Sequence, residues 1–272
     1  VSGAPTFRPD LYRGTSAFYD RYRLPYPDAL VDDLCARTSV SGHGRMLDLA
    51  CGPGTATFPL SGHFAEVWAV DQEPEAVAFA ADKAARLGID NVRWMTGRAE
   101  DVDTAEVFDV VTIGTAFHRL KRRRVAERAM QWLRDGGHLA LLWGDTALNG
   151  TAHWQQVLAE IVVDWMQRTE GEDRLPAGLE EHLTQLPHTA VLEDAGFVIV
   201  GREEFEEIHD WSLEELIGLV YSTSLLPRAV LGDRVEAFEA DVRERLGALE
   251  PTGVFRERAS FAYDLAHRAP SR

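Results

Sequence analysis

The chain predicts a doubly wound α/β fold on a mostly parallel, seven-stranded sheet with helical cap insertions, and three observations carry that expectation. From residue 45 onward, short apolar runs alternate with stretches of helical period, the rhythm of repeated strand–helix units. One of those runs, at residues 47–55, passes straight into a glycine turn and then a helix. With 272 residues, 45% of them hydrophobic, the chain can bury a full core and suits one α/β domain carrying insertions or a small cap.

Taken in order, residues 45–50 read as the first strand, 66–71 as the second, 91–95 as the third, 108–114 as the fourth and 138–143 as the fifth. Helices fill the gaps. Residues 74–87 carry alanines and valines at helical spacing, and 122–133 do likewise before the Asp135-Gly136-Gly137 turn. After Trp143 the rhythm changes: residues 153–168 form a long helical stretch, and no strand follows for about 25 residues. A strand returns at 197–200, a second helical stretch covers 213–249, and 259–265 alternates with period two as a final strand. The expected division is an N-terminal lid and helices at 1–44, a ligand-binding core at 45–143 and a helical cap at 144–190. The C-terminal strands then occupy 191–272, interrupted by a second insertion at about 207–250.

Charge and cysteine usage narrow the function classes. The formal net charge of -16, from 44 acidic against 28 basic residues, gives an averaged field that repels phosphate backbones and anionic lipid. No nucleic-acid partner and no membrane partner are expected, and no apolar run approaches the roughly 18 residues of a membrane span. Residues 1–5 lack a secretory hydrophobic region. Cys35 and Cys51 cannot build a disulfide framework, and no Cys/His spacing resembles a zinc site, so a cytoplasmic protein without a metal is expected.

The densest chemical signal is the run from Leu47 through Asp48, Ala50, Gly52 and Gly54. Gly52 and Gly54 leave the backbone bare, so a ligand can approach main-chain N–H groups near the start of a helix. A dinucleotide site uses the same physics, and an NAD-linked oxidoreductase is the nearest enzymatic rival. Two features oppose it: Thr57 stands where the third glycine of G-x-G-x-x-G belongs, and Asp48 would repel pyrophosphate at the strand end. An acid there suits a cationic amine. Farther on, Asp71 closes the second strand, where a carboxylate can accept hydrogen bonds from both ribose hydroxyls. Tyr19 and Arg23 lie four apart and share a helix face.

At this point the chain resembles the class I S-adenosylmethionine-dependent methyltransferases of small-molecule type, whose motif I is a strand ending in D-x-G-x-G on a Rossmann-like sheet. Residues 97–101 resemble the family's segment after the third strand, where the Ala99 N–H and the Glu100 carboxylate would read the adenine edge. Residues 108–118 resemble the fourth strand and its active-site end, and 133–137 the turn before the fifth. Residues 19–27 are similar to an N-terminal lid in which a tyrosine and an arginine close over the cofactor, with Leu24 replacing the usual proline of R-P-x-Y-P. The resemblance implies S-adenosylmethionine as cofactor. It also implies a binding set of Tyr19, Arg23, Asp48, Ala50, Gly52, Gly54, Asp71, Gln72, Ala99, Glu100, Thr115 and Phe117.

His118, just past the fourth strand, is the catalytic candidate, because an imidazole titrates in the range that general-base work requires. Methyl transfer is an in-line displacement, so the protein chiefly aligns the reactants and excludes water. A hydroxyl acceptor benefits from a base, an amine arrives neutral, and a carboxylate needs none. Thr115-Ala116-Phe117-His118 stands where amide and base-amine methyltransferases carry an N/D-P-P-Y-type run. The expected acceptor is therefore an oxygen of a metabolite or natural product, bound by a monomer or homodimer, with the caps defining its identity. Two further readings stay open: a cyclase or lyase that binds the same cofactor without methylating, and a non-catalytic binding module. The basic run 119–124 reads as a solvated helix start rather than an anion patch, and Trp143, Trp154, Trp165 and Trp211 as core.

Overall fold

Alternate positions of β1 (Arg45–Leu49) face opposite ways: Leu47 and Leu49 enter one core and Met46 another, so both faces of the strand are covered. The computed structural model describes residues 7–8, 10–169, 174 and 176–270. The first six residues of the expected lid, and 170–173 and 175 of the first expected cap, lie outside them. Beside β1 run β2 (Glu66–Asp71), β3 (Val92–Thr96), β4 (Phe108–Gly114) and β5 (Leu133–Gly144), all parallel. Then come β6 (Phe197–Trp211) and β7 (Phe255–Arg268), giving a seven-stranded order β3-β2-β1-β4-β5-β7-β6 in which β7 is antiparallel to both neighbours.

Helices α1 (Ser16–Tyr22) and α2 (Asp28–Thr38) precede the sheet; α3 (Thr57–Ser61), α4 (Pro74–Leu87) and α5 (Arg122–Trp132) connect its parallel strands. On one face Leu47, Val111, Ile113 and Leu141 pack against Val125, Ala129 and Trp132 of α5. On the other, Met46, Val67, Val110 and Leu142 pack against Leu30 and Leu34 of α2. A third core belongs to helices inserted late in the chain. These are α6 (His153–Gln167) before β6, and α9 (Leu213–Tyr221), α10 (Arg228–Leu231) and α11 (Val235–Leu249) after it; α7 (Leu179–Gln185) and α8 (His188–Asp194) lie between α6 and β6, and Val191 and Leu192 of α8 join the core on the α5 face of the sheet. Trp154, Leu158 and Trp165 of α6 meet Leu216 and Val220 of α9 and Phe238, Val242 and Leu246 of α11, so the two expected caps share one hydrophobic core. Phe18 of α1 packs onto the same core.

Three strands differ from the sequence expectation, of which β7, expected at 259–265, runs from Phe255 to Arg268 because it pairs along its length with β6. β6 continues beyond residue 200 to Trp211, so the second insertion begins at Ser212 rather than near 207. Its distal half carries Glu203, Glu204, Glu206, Glu207 and Asp210, which show no apolar alternation because β6 is the sheet edge; charge there discourages edge-to-edge pairing. Pairing with β7 and cross-strand ion pairs such as Arg256–Asp210 at 2.7 Å and Arg258–Glu206 at 2.9 Å keep it extended. The Asp135-Gly136-Gly137 segment, expected as a turn, lies inside β5, where the register against β4 shifts between Phe108 and Val110.

Candidate active site

The strand order reverses between β1 and β4, and ligands in such sheets bind outside the carboxyl ends of the strands at that switch point. A cavity of about 520 Å³ opens there, within the range of small-molecule and cofactor sites. Two non-glycine residues at its wall adopt the left-handed region: Ala50, just past β1, at φ 54°, and Thr115, just past β4, at φ 49°. Such conformations are costly for residues with a Cβ and cluster at ligand sites. Gly52, at φ 55°, completes the turn, and a Cβ built on it would meet nothing within 4 Å, so the loop presents bare backbone to open space.

Of the residues expected from sequence, the structure brings Tyr19, Asp48, Ala50, Gly52, Asp71, Gln72, Ala99, Glu100 and Thr115 onto the cavity wall. It places four behind it. Gly54 sits under Phe58 and Trp94, and Phe117 is fully buried in the sheet core. Arg23 reaches across to Ser222 Oγ at 2.8 Å and lies over the Tyr19 ring at 5.1 Å. His118 packs edge-on against Phe7 at 6.0 Å, outside the wall.

Asp48 has no exposed surface, and both of its oxygens are used: Thr57 Oγ1 donates at 2.5 Å and Thr112 Oγ1 at 2.9 Å. Thr57, the residue that displaces the third glycine of a dinucleotide loop, is thus the support of the buried acid. Burial raises the Asp48 carboxyl to about 6 against the two hydroxyl bonds, and the charge of Asp71 adds to the rise. Asp71 accepts from the Gly52 N–H and the Glu73 N–H, both at 2.8 Å, which aims its carboxylate across the mouth of the glycine loop. Burial also pushes Asp71 upward. Glu100 is only 5% exposed; burial works against its charge, but the Lys121 N–H at 3.0 Å and neighbouring Arg98 hold it below the usual carboxylate range.

His118 is pulled down to about 3 by burial and by the nearby charges of Arg119, His188 and Arg122, so it stays neutral at physiological pH. The tryptophans all use their indole N–H inside the fold: Trp143 to Asp264 at 2.6 Å, Trp154 to the Arg256 carbonyl at 3.3 Å, Trp165 to Asp241 at 2.7 Å and Trp211 to Glu257 at 2.6 Å.

Several wall residues had no sequence signal of their own. Tyr26 sits in the lid-like run, and its hydroxyl meets Thr115 Oγ1 at 3.2 Å, fixing the end of β4. Phe7 and Tyr12 close over the cavity from the N-terminal segment. The basic run 119–124 is the solvated helix start expected at Lys121, Arg123 and Arg124 but not at Arg119 and Arg122. Arg119 lines the cavity, and Arg122, 6% exposed, donates to the Leu186 carbonyl at 2.7 Å, while Arg123 and Arg124 remain on the surface paired with Asp194 and Asp101. Among the described residues no group of three or more His, Cys, Asp or Glu could hold a metal ion, and no helix is long and apolar enough to cross a membrane.

Comparison with known proteins agrees with this geometry. Residues 46–137, from β1 into β5, match the family model of the methyltransferase domain. An uncharacterised methyltransferase of Mycobacterium tuberculosis is 29% identical over 147 residues, which are 53% of this chain and 55% of that protein. An uncharacterised RNA methyltransferase of a Nostoc species is 34% identical over 73 residues, 27% of this chain and 16% of that one. The chain thus spans about half, or less, of the length of these curated relatives. Among solved structures, a candidate type II methyltransferase of Anaeromyxobacter dehalogenans superposes with a TM-score of 0.65 at 21% identity, covering 92% of this chain and 100% of that one, and so shares the fold. Residues 46–137 thus carry a methyltransferase domain of the S-adenosylmethionine-dependent kind, whose cofactor is S-adenosylmethionine.

Proposed function

We propose that this protein transfers a methyl group from S-adenosylmethionine to an oxygen of a small-molecule acceptor. The observation that carries the reading is the convergence of Asp48, Asp71 and the bare Gly52 turn on one cavity at the switch point of the sheet. That donor set fits the cofactor: an acid for an ammonium, a carboxylate for ribose hydroxyls, and backbone where the chain must be approached closely. Ala99 and Glu100 would meet the adenine edge, and Tyr19, beneath the Arg23 guanidinium, the methionine end. When bound, S-adenosylmethionine supplies an electrophilic methyl group: an acceptor oxygen forms the new bond to carbon as the carbon–sulfur bond breaks and its electron pair returns to sulfur.

The protein's own contribution is alignment and exclusion of water. His118, neutral and behind the wall, is not placed to take a proton, so the accepting oxygen is one that arrives already ionised. A nucleic-acid acceptor is disfavoured by the net charge of -16. Relatives that act on RNA by name are matched over 27–30% of this chain.

Calorimetry with S-adenosylhomocysteine, with NAD as control, tests the cofactor half of the reading, and its pH dependence tests the role of Asp48. A cation beside Asp48 favours the ionised form, so affinity should be full above the Asp48 value of about 6 and fall as the pH drops through it. For folding the sign is opposite: the native carboxyl holds its proton more tightly than the unfolded one, so its ionisation weakens the apoprotein as pH rises through the same range. Tight NAD binding without S-adenosylhomocysteine binding would sink the proposal, and an affinity flat between pH 5 and 8 would remove Asp48 from it. A methyl-labelled cofactor then distinguishes transfer from a non-methylating use of the same site.

The N-terminal segment supplies a second check. Residues 10–15 are tied to the body by Gly14 N–H to Glu75 at 2.9 Å and the Leu11 carbonyl to Arg174 at 2.7 Å, while α1 and the run after it are anchored by Asp20–Lys83, Arg23–Ser222 and Tyr26–Thr115. Hydrogen exchange across residues 10–27 should slow when S-adenosylhomocysteine is added. Equal protection with and without it would mean that the segment is fixed scaffold.

A further inference from the structure

One guanidinium group on the cavity wall and a second packed beside it both give their hydrogen bonds to neutral partners. Arg174, 7% exposed, donates to the carbonyls of Ser224 and Leu11. Arg119 lines the cavity and donates through one terminal nitrogen to Ser224 Oγ at 3.1 Å. The rings of Phe7 and Tyr12 each lie 4.8 Å from the Arg119 guanidinium carbon, so its face is spent on aromatic contact and its in-plane N–H groups are what remain for a ligand. One of these, Nε, is buried with no acceptor. A buried donor left unmade is costly, and adjacent guanidinium groups without an anion are more so.

The acids of the wall do not neutralise this charge. Among the described residues neither arginine makes an ion pair, and the oxygens of Asp48, Asp71 and Glu100 accept from Thr57, Gly52 and Lys121. Burial first, and then the like charges of Arg8 and Arg119, hold the Arg174 group below its ordinary range against the opposing charge of Asp10, so the orphaned Nε of Arg119 rather than this shift marks the place for an anion. In a chain of net charge -16, such a place calls for an anion from outside, and a planar carboxylate matches the guanidinium edge.

We propose that the acceptor is a carboxylic acid whose carboxylate is held by Arg119, with Arg174 behind it. The proposal rests on the methyl-transfer reading above and names the substrate class. The cofactor carries a carboxylate of its own, but the partners of Arg119 favour the acceptor. Ser224, which holds Arg119, follows helix α9 of the cap, the part of the chain expected to define the acceptor, and Phe7 and Tyr12 pack the guanidinium from the N-terminal segment.

The test uses calorimetry on the full chain. Protein saturated with S-adenosylhomocysteine is titrated with benzoate, glutarate and tricarballylate, and with the amide of each. At least one acid should bind where its amide does not. Arg119→Gln should weaken that acid by about 10- to 100-fold, the scale of a lost bond between charged groups, while S-adenosylhomocysteine binding stays within about threefold. Ser224→Ala, which removes only the hydroxyl positioning the guanidinium, should weaken the acid by about three- to tenfold, and it carries the test if Arg119→Gln fails to fold. No acid binding, equal binding of acid and amide, or wild-type affinity in both variants would overturn the proposal. A parallel loss of S-adenosylhomocysteine affinity in Arg119→Gln would overturn it too, by assigning the site to the cofactor's carboxylate. Failure of the wild-type protein to bind S-adenosylhomocysteine at all is a different result, and refutes the methyl-transfer reading itself.

Discussion

Asp71→Ala is expected to weaken S-adenosylhomocysteine binding by about 1.5–3 kcal/mol, roughly 10- to 150-fold, and to leave the sheet folded. The size follows from what the side chain does. Its two oxygens each accept one backbone N–H, from Gly52 and Glu73, at 2.8 Å, and each keeps capacity for a ligand hydroxyl. Alanine therefore removes the ribose contacts and also frees the Gly52 N–H, so the glycine turn loses the strut that fixes its position against β2. The fold is expected to survive because Asp71 stands at the rim, at the last position of β2, while the core is carried by Val67, Trp68, Ala69 and Val70. Calorimetry combined with a thermal melt separates the two effects. Unaltered affinity would show that the ribose lies elsewhere, and a collapsed melt would show that Asp71 is structural. Asp71→Asn should fall between wild type and alanine, because the amide keeps one acceptor and loses the charge.

The second large effect belongs to the cap. Phe238 of α11 is fully buried, edge-on to Trp165 of α6 at 5.7 Å and tilted against Tyr221 of α9 at 5.8 Å. It is the side chain at which the three helices meet, so Phe238→Ala is expected to cost about 3–5 kcal/mol, the transfer term plus the cavity left behind. The loss should reach the site through α9. That helix ends at Tyr221, and the buried Ser222 and Ser224 that follow it are what Arg23, Arg119 and Arg174 hold. Denaturant melts should show the loss, and acceptor binding should suffer more than cofactor binding, because Asp48, Asp71 and Gly52 belong to the sheet. A loss below about 1 kcal/mol would mean that the surrounding helices collapse into the space.

Legibility in the sequence followed the range of the interactions. Strands β1, β2 and β4 were readable because a strand covered on both faces must be a continuous apolar run, and residues 108–114 and 66–71 are such runs with sharp ends. The far half of β6 was not readable: Phe205 and Trp211 share their face with Glu203, Glu207 and His209, and pairing with β7, more than forty positions away, keeps the run extended. Among the site residues, Asp48, Gly52 and Asp71 were legible because a strand-end acid and a bare glycine are demanded locally by the backbone turn. Gly54 shares the motif yet faces Phe58 and Trp94, since spacing along the chain does not say which way a loop is turned.

By itself, then, the sequence determined the succession of the parallel strands along the chain, the glycine turn after β1 and the acids that flank it, because these depend on local periodicity and turn geometry. The tertiary structure decided which side chains reach the cavity. It moved His118 behind the wall, and placed Arg119 on it, one residue later, because a short turn after β4 points neighbouring side chains in different directions. It also merged two separate helical stretches into one core around Phe238 and set Ser222 and Ser224 against three arginines from three distant parts of the chain. Burial and unsatisfied charge are properties of the packed neighbourhood rather than of any segment, and they are what distinguish a solvated basic run from a site that calls for an anion.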